Sequence, residues 1–274
     1  MELSIGFMQG RLSPMVDGKI QSFPWNNWEK EFEIANKNNF RIMEWTLDQH
    51  NLNKNPLMTK NGQKKIKILS NKYGISICSL TGDCFMQAPF YKVYGKDQYK
   101  LLKNLKSVIT ACGFMGIKFI IFPLVDNGSL QSKEQEKKLK YGLSFVESLL
   151  EKNKVKIVFE SDFPPNRLYD FISDFPPEHY GINYDIGNSA AYGFDPKKEI
   201  KAYGNKILNV HIKDRLLGGT TVPLGMGNAD MENIFYLFKS IKYNGNYILQ
   251  TARAKNDDVG ALCKYRDQVL QWLS

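Results

Sequence analysis

Short apolar runs alternate with longer amphipathic segments along the whole chain, and this alternation constrains the fold more than any other feature. The apolar runs have the length of β-strands. The segments between them carry apolar residues at helical spacings, as Trp28, Phe32 and Ala35 do. Strands that alternate with helices predict a parallel sheet, because each helix must return the chain to the other end of the sheet before the next strand starts.

About eight strand–helix units can be read from this pattern. The predicted strands are Leu3–Met8, Phe40–Leu47, Ile75–Leu80, Ile117–Leu124, Val155–Phe159, Ile182–Tyr184, Ile207–His211 and Tyr247–Gln250. The predicted helices are Trp25–Asn38, Gln63–Tyr73, Gln98–Cys112, Lys133–Asn153, Asn166–Ile172, Pro196–Tyr203, Met231–Ile241 and Val259–Leu273. Gly74 and Gly113 are predicted to end the second and third helices, and a long loop is predicted through Cys84, Met86 and Pro89.

Two parallel architectures fit such a pattern, a closed barrel and a doubly wound open sheet. The open sheet usually has fewer units and a phosphate-binding glycine loop after its first strand, where this chain has Gln9-Gly10-Arg11. The 274 residues also suit a closed barrel, which typically needs about 250. Because no linker or low-complexity segment divides the chain, we predict an α/β fold with a single (β/α)8 barrel domain over residues 1–274.

Composition argues against several other classes of protein. The net charge is +9, but the lysines are spread through predicted helices, as solvated helix faces are, and we predict no nucleic-acid partner. The four cysteines form no Cys-x-x-Cys pair and thus do not support a zinc ribbon or a disulfide framework, and we predict that they are reduced thiols. With neither a signal-peptide pattern nor an apolar run of about 20 residues, we predict a cytoplasmic protein without a membrane partner.

Four polar residues each follow a separate apolar run. They are Glu160, Asp185, His211 and Gln250, and the first three are spaced by about one strand–helix unit. A parallel barrel brings the C-terminal ends of its strands to one face, where such folds carry their sites. Two carboxylates and an imidazole that converge there form a plausible site for a divalent metal.

Each of these residues alone also has a structural explanation. Glu160 could cap a helix, Asp185 could form an Asx turn closed by Gly187, and a single histidine at a strand end is more often structural than a ligand. The prediction therefore depends on the three strand ends together. Glu44, in the second strand, could either point into the barrel or pair with a lysine.

Arg215 and Arg253 follow the seventh and eighth predicted strands. A guanidinium group matches a phosphate or carboxylate well, although each arginine could equally form a surface ion pair. With Arg11 and the positive net charge, these residues favour an anionic substrate.

The chain resembles a known family, the xylose isomerase-like TIM barrels, and specifically their sugar (phosphate) isomerase/epimerase branch. The resemblance covers nearly the whole chain. The motifs that carry it are Phe159-Glu160, Asp185-Ile186-Gly187-Asn188, His211-Ile212-Lys213-Asp214 and the Gly225-x-Gly227 loop. Asn188 and Lys213 lie inside these motifs, and we predict that they bind substrate together with Arg215 and Arg253.

The resemblance implies one divalent metal ion, commonly Mn, Mg, Co or Zn, held by a Glu, an Asp, a His and a second Glu. Glu160, Asp185 and His211 match the first three ligands, whereas Gln250 stands where these enzymes usually have the second Glu. An amide oxygen can ligate a metal but cannot act as a base. The resemblance therefore implies a cis-enediolate mechanism with Glu160 as the base and with Gln250 as a catalytic and metal-binding residue of altered character.

The substitution at Gln250 leaves alternatives open. Glu160 alone suffices for isomerisation on one face of the substrate, whereas epimerisation would require another acid, either water or an unassigned side chain. A keto-polyol dehydratase would use the same metal, and a non-catalytic sugar-binding barrel would tolerate the loss of a base. For all of them we expect a small sugar or sugar phosphate as the partner, and barrels of this family often form homodimers.

Overall fold

Eight parallel strands close into a barrel in the computed structural model, which describes residues 5–274. Each strand pairs with its neighbours in chain order, and β8 pairs with β1. The strands are β1 (Ile5–Met8), β2 (Ile42–Thr46), β3 (Ser76–Thr81), β4 (Phe119–Leu124), β5 (Lys156–Ser161), β6 (Tyr180–Asp185), β7 (Ile207–Ile212) and β8 (Asn246–Leu249). The predicted closed barrel is confirmed, while Leu3 and Ser4 of the predicted first strand lie outside the described residues.

Eleven α-helices accompany the strands in residues 5–274. They are α1 (Trp28–Lys37), α2 (Lys60–Tyr73), α3 (Asp83–Gln87), α4 (Gly95–Met115), α5 (Lys133–Ser144), α6 (Glu147–Asn153), α7 (Pro165–Ser173), α8 (Ile186–Tyr192), α9 (Pro196–Tyr203), α10 (Met231–Ser240) and α11 (Asp258–Leu273). Within the same residues, no helix is both long and apolar enough to cross a membrane.

The barrel interior changes character from apolar to polar towards the C-terminal ends of the strands. Apolar side chains between the strands and the surrounding helices form one continuous core. Inside the barrel, near the C-terminal ends of the strands, several buried residues are polar, namely Glu44, Asn183, Asn209 and His211. The register brings Asp185 of β6 next to His211 of β7, so that two predicted site residues are neighbours across the sheet.

The predicted helix over residues 133–153 is two helices, α5 and α6. The backbone N–H of Val146 donates to the carbonyl of Leu143, and this three-residue spacing tightens the chain at the junction. The predicted apolar face is nevertheless retained, because Leu139, Leu143, Val146 and Leu150 are all buried.

The sequence predicts that Gly113 ends the long helix between β3 and β4, and this prediction is wrong. Helix α4 continues to Met115, and Gly116 follows it with a left-handed φ of 76°. Gly113 instead lies where α4 crosses α6, since a Cβ at this position would stand 2.5 Å from the Cβ of Asn153. The glycine thus permits close packing of two helices.

Three short elements were not predicted. Helix α3 lies inside the predicted loop that contains Cys84, helix α8 follows β6 directly, and Asp214–Arg215 pairs with Thr221–Val222 as an antiparallel hairpin in the glycine-rich loop. These elements are too short for a helical or alternating pattern to emerge in the sequence. All three border the C-terminal mouth of the barrel and therefore shape the site.

Candidate metal and substrate site

Three of the predicted metal ligands meet at the mouth of the barrel. Glu160 of β5, Asp185 of β6 and His211 of β7 are buried, and one ligand atom of each lies within 4.8 Å of the others. The three come from adjacent strands of the sheet. The arrangement expected from the strand ends is therefore a compact group that could hold a metal ion.

His211 connects this trio to a carboxylate on the other side of the barrel. Its Nε2 lies 2.7 Å from Oε1 of Glu44, while its Nδ1 lies 3.2 Å from Oε2 of Glu160 and 3.9 Å from Oδ2 of Asp185. Glu44 thus points into the barrel, which was the first of the two alternatives for this residue. A carboxylate that holds one ring nitrogen fixes the orientation of the imidazole and directs the other nitrogen at the site.

Glu44 is itself held by donors from the barrel wall. Its carboxylate accepts hydrogen bonds from the hydroxyls of Ser79 and Thr81 on β3 and from the amide of Asn209 on β7, the latter at 3.2 Å. The donors compensate for the loss of water around a carboxylate that has no exposed surface. They also leave Glu44 little freedom to move away from His211.

Two asparagine amides orient Glu160. The side chain of Asn188 donates to Oε1 at 2.7 Å, and that of Asn183 donates to Oε2 at 2.9 Å. Asn188 therefore contacts Glu160 directly and also lines the pocket above it. With one amide donor on each oxygen, the orientation of the Glu160 carboxylate within the trio is fixed.

The two oxygens of Asp185 have different partners. Oδ1 accepts from the backbone N–H of Asn188 and caps the first turn of α8, as an Asx turn would. Oδ2 is buried and accepts no well-oriented hydrogen bond within the described residues, although Nζ of Lys213 lies 2.7 Å away. The ammonium group of Lys213 is therefore the partner of this oxygen in the structure, and a metal ion bound to the trio would share the oxygen with it.

The charges of the trio act strongly on one another. Burial disfavours the imidazolium form of His211, but the charges and hydrogen bonds of Glu44 and Glu160 outweigh burial and raise its pKa to about 10. Burial also opposes the ionisation of Glu160, yet its hydrogen bond and charge interaction with His211 lower its pKa. Burial raises the pKa of Asp185, and the charge of Lys213 offsets only part of this shift. A divalent cation would compete with the proton that these carboxylates otherwise hold on His211.

The donor set fits a divalent metal. Two carboxylate oxygens and one imidazole nitrogen are ligands that Zn²⁺ and Mn²⁺ accept. Oδ2 of Asp185 and Nδ1 of His211 lie 3.9 Å apart, and a ligand atom of Glu160 lies within 4.8 Å of both residues, so that one ion could contact all three. Glu160, Asp185 and His211 are thus the residues that would hold the ion.

Gln250 lies at the edge of this group, directly after β8. Its Oε1 accepts a hydrogen bond from Nζ of Lys213 at 3.1 Å, and its Nε2 donates to Oε1 of Gln21 at 2.7 Å. Gln21 in turn donates to Oδ2 of Asp83 at 2.7 Å. The side chain of Gln250 therefore links the trio, through Lys213, to an acidic residue farther along the pocket wall.

A pocket of about 410 Å³ opens above the trio. Glu160, Asn188, Lys213, Arg215 and Gln250 contribute to its lining. The two cations on this wall would attract an anionic group.

Arg253 is the one predicted substrate-binding residue that does not line this pocket. Its guanidinium donates to the backbone carbonyls of Arg11, Ser13 and Ile20 and forms an ion pair with Asp258. In this structure it therefore holds the loop after β1 in position. Arg11, which belongs to that loop, is buried and lines the pocket, and its role in binding an anionic substrate stays a prediction.

The sequence reasoning missed the polar residues one layer below the trio. Asn183 stands two residues before Asp185 on β6, and Asn209 stands two residues before His211 on β7. Side chains two apart on a strand share a face, so that this period of two was the signal that could have identified them. Gln21 and Asp83 carried no comparable signal, because they lie in a loop and in a short helix.

Comparisons with known proteins agree with this architecture. Residues 32–272 match the model of the xylose isomerase-like TIM barrel family. The putative L-ribulose-5-phosphate 3-epimerase SgbU of Haemophilus influenzae is 24% identical over 252 residues, which cover 84% of this chain and 86% of that protein.

Two solved structures illustrate the likeness of the fold. IolI protein with a bound zinc atom has a TM-score of 0.78 at 16% identity, over 99% of this chain and 98% of that chain. D-psicose 3-epimerase with D-tagatose from Clostridium cellulolyticum H10 has a TM-score of 0.76 at 13% identity, over 99% of this chain and 100% of that chain. At such low identity these likenesses concern the fold, and the chemistry must be argued from the site.

Proposed function

The chain belongs to the xylose isomerase-like TIM barrel family, and on that premise we propose that it is a divalent-metal-dependent isomerase or epimerase of a sugar or sugar phosphate. The observation that carries this proposal is the buried trio of Glu160, Asp185 and His211, in which one ligand atom of each residue lies within 4.8 Å of the others. When bound there, a divalent cation would polarise the substrate carbonyl and stabilise the negative charge of an enediolate.

Glu160 is the base in this proposal. It lines the pocket, and its lowered pKa keeps it ionised at neutral pH, as a proton acceptor must be. The amides of Asn183 and Asn188 fix its orientation from two sides. A carboxylate held in this way can remove a proton from a carbon next to the substrate carbonyl with little reorganisation.

The pocket wall supports an anionic substrate, with a sugar phosphate as the first candidate. Arg11, Lys213 and Arg215 all line the pocket. The guanidinium of Arg215 is held in place by two hydrogen bonds to the carbonyl of Gly219 and one, at 2.8 Å, to the side-chain oxygen of Asn188. The relative from Haemophilus influenzae is named as a putative epimerase of L-ribulose 5-phosphate, which is a pentulose phosphate, and this name agrees with the choice.

Gln250 acts in this proposal as a positioning residue and not as a base. Its amide oxygen accepts from Lys213, and Lys213 lies against Asp185. Through this contact Gln250 keeps the ammonium group of Lys213 beside the space for the metal and the substrate oxygens. It is also available as a weak oxygen ligand if Lys213 moves.

The test is a metal-supplemented hydrogen-exchange assay in D₂O. The protein is incubated with Mn²⁺ or Co²⁺ and a panel of ketoses and ketose phosphates, and loss of the proton next to the carbonyl is followed by NMR. Glu160→Ala is expected to abolish this exchange, whereas Glu151→Gln, which changes an exposed glutamate, is expected to retain it. Absence of exchange with every sugar in a protein that holds its metal would overturn the proposal, and a product that lacks one water would identify a dehydratase.

A further inference from the structure

Asp83 is a buried carboxylate in the wall of the pocket that the proposed mechanism has not used. It lies in the first turn of α3, directly after β3, and only 6% of its surface is exposed. Oδ2 accepts the hydrogen bond from Gln21, while Oδ1 has no hydrogen-bond partner among residues 5–274, and the residue is part of the pocket lining. One oxygen is therefore available to a substrate.

The position of Asp83 is tied to that of Gln250. Gln250 donates to Gln21, and Gln21 donates to Asp83, with both hydrogen bonds 2.7 Å long. Asp83 is thus two hydrogen bonds away from the residue at which the family has its second glutamate. Position 250 lacks the carboxylate, but the hydrogen-bonded side chains of Gln250 and Gln21 lead to the carboxylate of Asp83.

Asp83 and Glu160 approach the pocket from different sides. Asp83 follows β3, whereas Glu160 lies on β5, two strands away in a closed barrel of eight. Both carboxylates line the same pocket. A substrate bound between them would present one face to Glu160 and another to Asp83.

Resting on the proposed function, we propose that Asp83 is the second acid–base group, which exchanges a proton with the reacting carbon on the face opposite Glu160. The Glu160 carboxylate takes the proton from carbon, and the electrons of the broken C–H bond form the C=C bond of the enediolate. The Asp83 carboxyl then gives its proton to the same carbon from the other side, where a new C–H bond forms. The step ends with Glu160 protonated and Asp83 ionised, and exchange with solvent in the pocket restores both. In the reverse direction, Asp83 is the base.

The surroundings of Asp83 suit a group that must both give and accept a proton near neutral pH. Burial and the charge of Asp48 raise its pKa to about 7, the Glu160 charge adds to this shift, and His211 opposes it. Burial and the charge of Arg253 lower the pKa of Arg11 to about 9, and the charge of Asp83 opposes this shift. At this pKa both protonation states are populated when the protein works at neutral pH.

Two other carboxylates lie near the pocket and are less suitable. Asp48 accepts hydrogen bonds from the backbone N–H of Phe23 at 2.8 Å and from the amide of Gln87 at 2.9 Å, so that both of its oxygens are used. Asp126 lines the pocket but is exposed to solvent. Asp83 is the one that combines burial with an open oxygen.

The experiment compares exchange from the two epimers separately. L-ribulose 5-phosphate and its C3 epimer are the first probes, and the panel described above supplies another pair if a different sugar is active. Each epimer is incubated in D₂O with Mn²⁺-loaded protein, and deuterium at the reacting carbon is measured before and after epimer formation. Wild-type protein is expected to exchange the proton of both epimers.

Asp83→Asn is expected to exchange the proton of one epimer only, the one that Glu160 deprotonates. Exchange from the other epimer and net epimerisation should both fall by about 10²–10⁴-fold. Asp97→Asn, the matched control at an exposed aspartate in the first turn of α4 and outside the pocket, should exchange both epimers. Equal thermal stability and metal content of Asp83→Asn and wild type exclude a folding defect or a loss of the ion.

Asp83→Asn protein that exchanges both epimers, or neither, would overturn the role of Asp83 while the proposed function stands. A one-sided loss in Asp97→Asn would do the same, because the effect would then not be specific to a carboxylate in the pocket. If wild type exchanges neither epimer of any pair, the proposed function itself fails. The two failures are therefore distinguishable.

Discussion

Glu44 decides how His211 faces the site. It is fully buried, it lies on the strand opposite the trio, and its contact with Nε2 directs Nδ1 towards Glu160 and Asp185. Glu44 touches none of the space that the substrate would occupy, and the pocket lining does not include it. Its influence on chemistry must therefore pass through the imidazole.

We predict that Glu44→Gln weakens metal binding about 10–100-fold. The glutamine keeps one acceptor oxygen, for either Ser79 or Thr81, which donate to different oxygens of Glu44. It no longer places a negative charge beside the imidazole, which becomes a poorer ligand. Titration of the metal-free protein with Zn²⁺ or Co²⁺ in a calorimeter measures the affinity directly. Glu151→Gln, on the exposed face of α6, serves as the control of equal charge change, and equal affinities of the two variants would contradict the prediction.

At the scale of elements, helix α1 fixes the loop that follows β1. The Glu31 carboxylate accepts hydrogen bonds from the backbone N–H groups of Gly10 and Leu12, each at 3.0 Å. That loop carries Arg11, whose guanidinium donates to the carbonyls of Thr251 and Ile20 and borders the pocket. A buried side chain on α1 thus positions a cation at the mouth of the barrel.

We predict that Glu31 makes the stability of the protein depend on pH. Burial raises its pKa from 4.5 to about 7, although the backbone donors act in the opposite direction. Between these values the folded protein holds a proton that the unfolded chain has released, so the free energy of unfolding falls as pH rises through this window. The total loss amounts to roughly 3 kcal/mol.

Glu31→Gln should remove this contribution. Urea unfolding at pH 5 and pH 8 is the measurement, and between these values the stability of the variant relative to wild type should improve by about 3 kcal/mol. Glu29→Gln, an exposed change on the same helix, should follow wild type at both pH values. A constant difference between Glu31→Gln and wild type would show that Glu31 titrates normally in the folded protein.

The packing of α4 against α6 gives a prediction for Gly113. Replacement of a helical glycine by alanine usually stabilises a helix by about 1 kcal/mol. Here the new methyl group would lie 2.5 Å from Cβ of Asn153. Because this Cβ is attached directly to the backbone of α6, the contact can be relieved only if that backbone shifts. We expect the clash to dominate and Gly113→Ala to lower the free energy of unfolding by about 1–3 kcal/mol.

Ser107→Ala, at an exposed position of α4, is the control for helix propensity and should be neutral or slightly stabilising. Denaturant unfolding of both variants separates the two effects. If Gly113→Ala were as stable as Ser107→Ala, the two helices would be able to move apart at little cost, and the assigned role of the glycine would be wrong.

The elements also show how far sequence reasoning can reach. Glu160, Asp185 and His211 were identified because each follows an apolar run, and a closed barrel must bring such ends together. The role of Gly113 could not be recognised, since a glycine near a helix end looks the same whether it terminates the helix or admits a neighbouring one. The partnership of Gln250, Gln21 and Asp83 was also out of reach, because it depends on the path of two loops that leave no periodic pattern.

At the scale of the whole molecule, the site joins strands that are far apart in sequence. The three proposed ligands come from β5, β6 and β7, and Glu44 adds β2 through His211. These are the strands whose polar residues replace the apolar core at the mouth of the barrel. An ion bound to the trio would therefore stabilise the closed barrel as a whole, because the unfolded chain cannot assemble its ligands.

We predict that metal stabilises the folded protein by about 2.7 kcal/mol when the free ion is present at 100 times its dissociation constant. The comparison is between thermal or urea unfolding in the presence of a chelator and in the presence of Co²⁺ or Zn²⁺. Asp185→Asn should lose most of this gain, because the substitution keeps an oxygen to cap α8 but removes the charge that would face the ion.

Asp195→Asn is the matched control, since Asp195 also caps a helix, α9, but lies at the surface away from the trio. It should keep the full metal-dependent gain. Equal gains in Asp185→Asn and Asp195→Asn would show that the ion binds elsewhere. A wild type that gains nothing from any divalent ion would show that the trio is held together by the proton on His211 alone, and the barrel would then have to be considered as a sugar-binding protein without a metal.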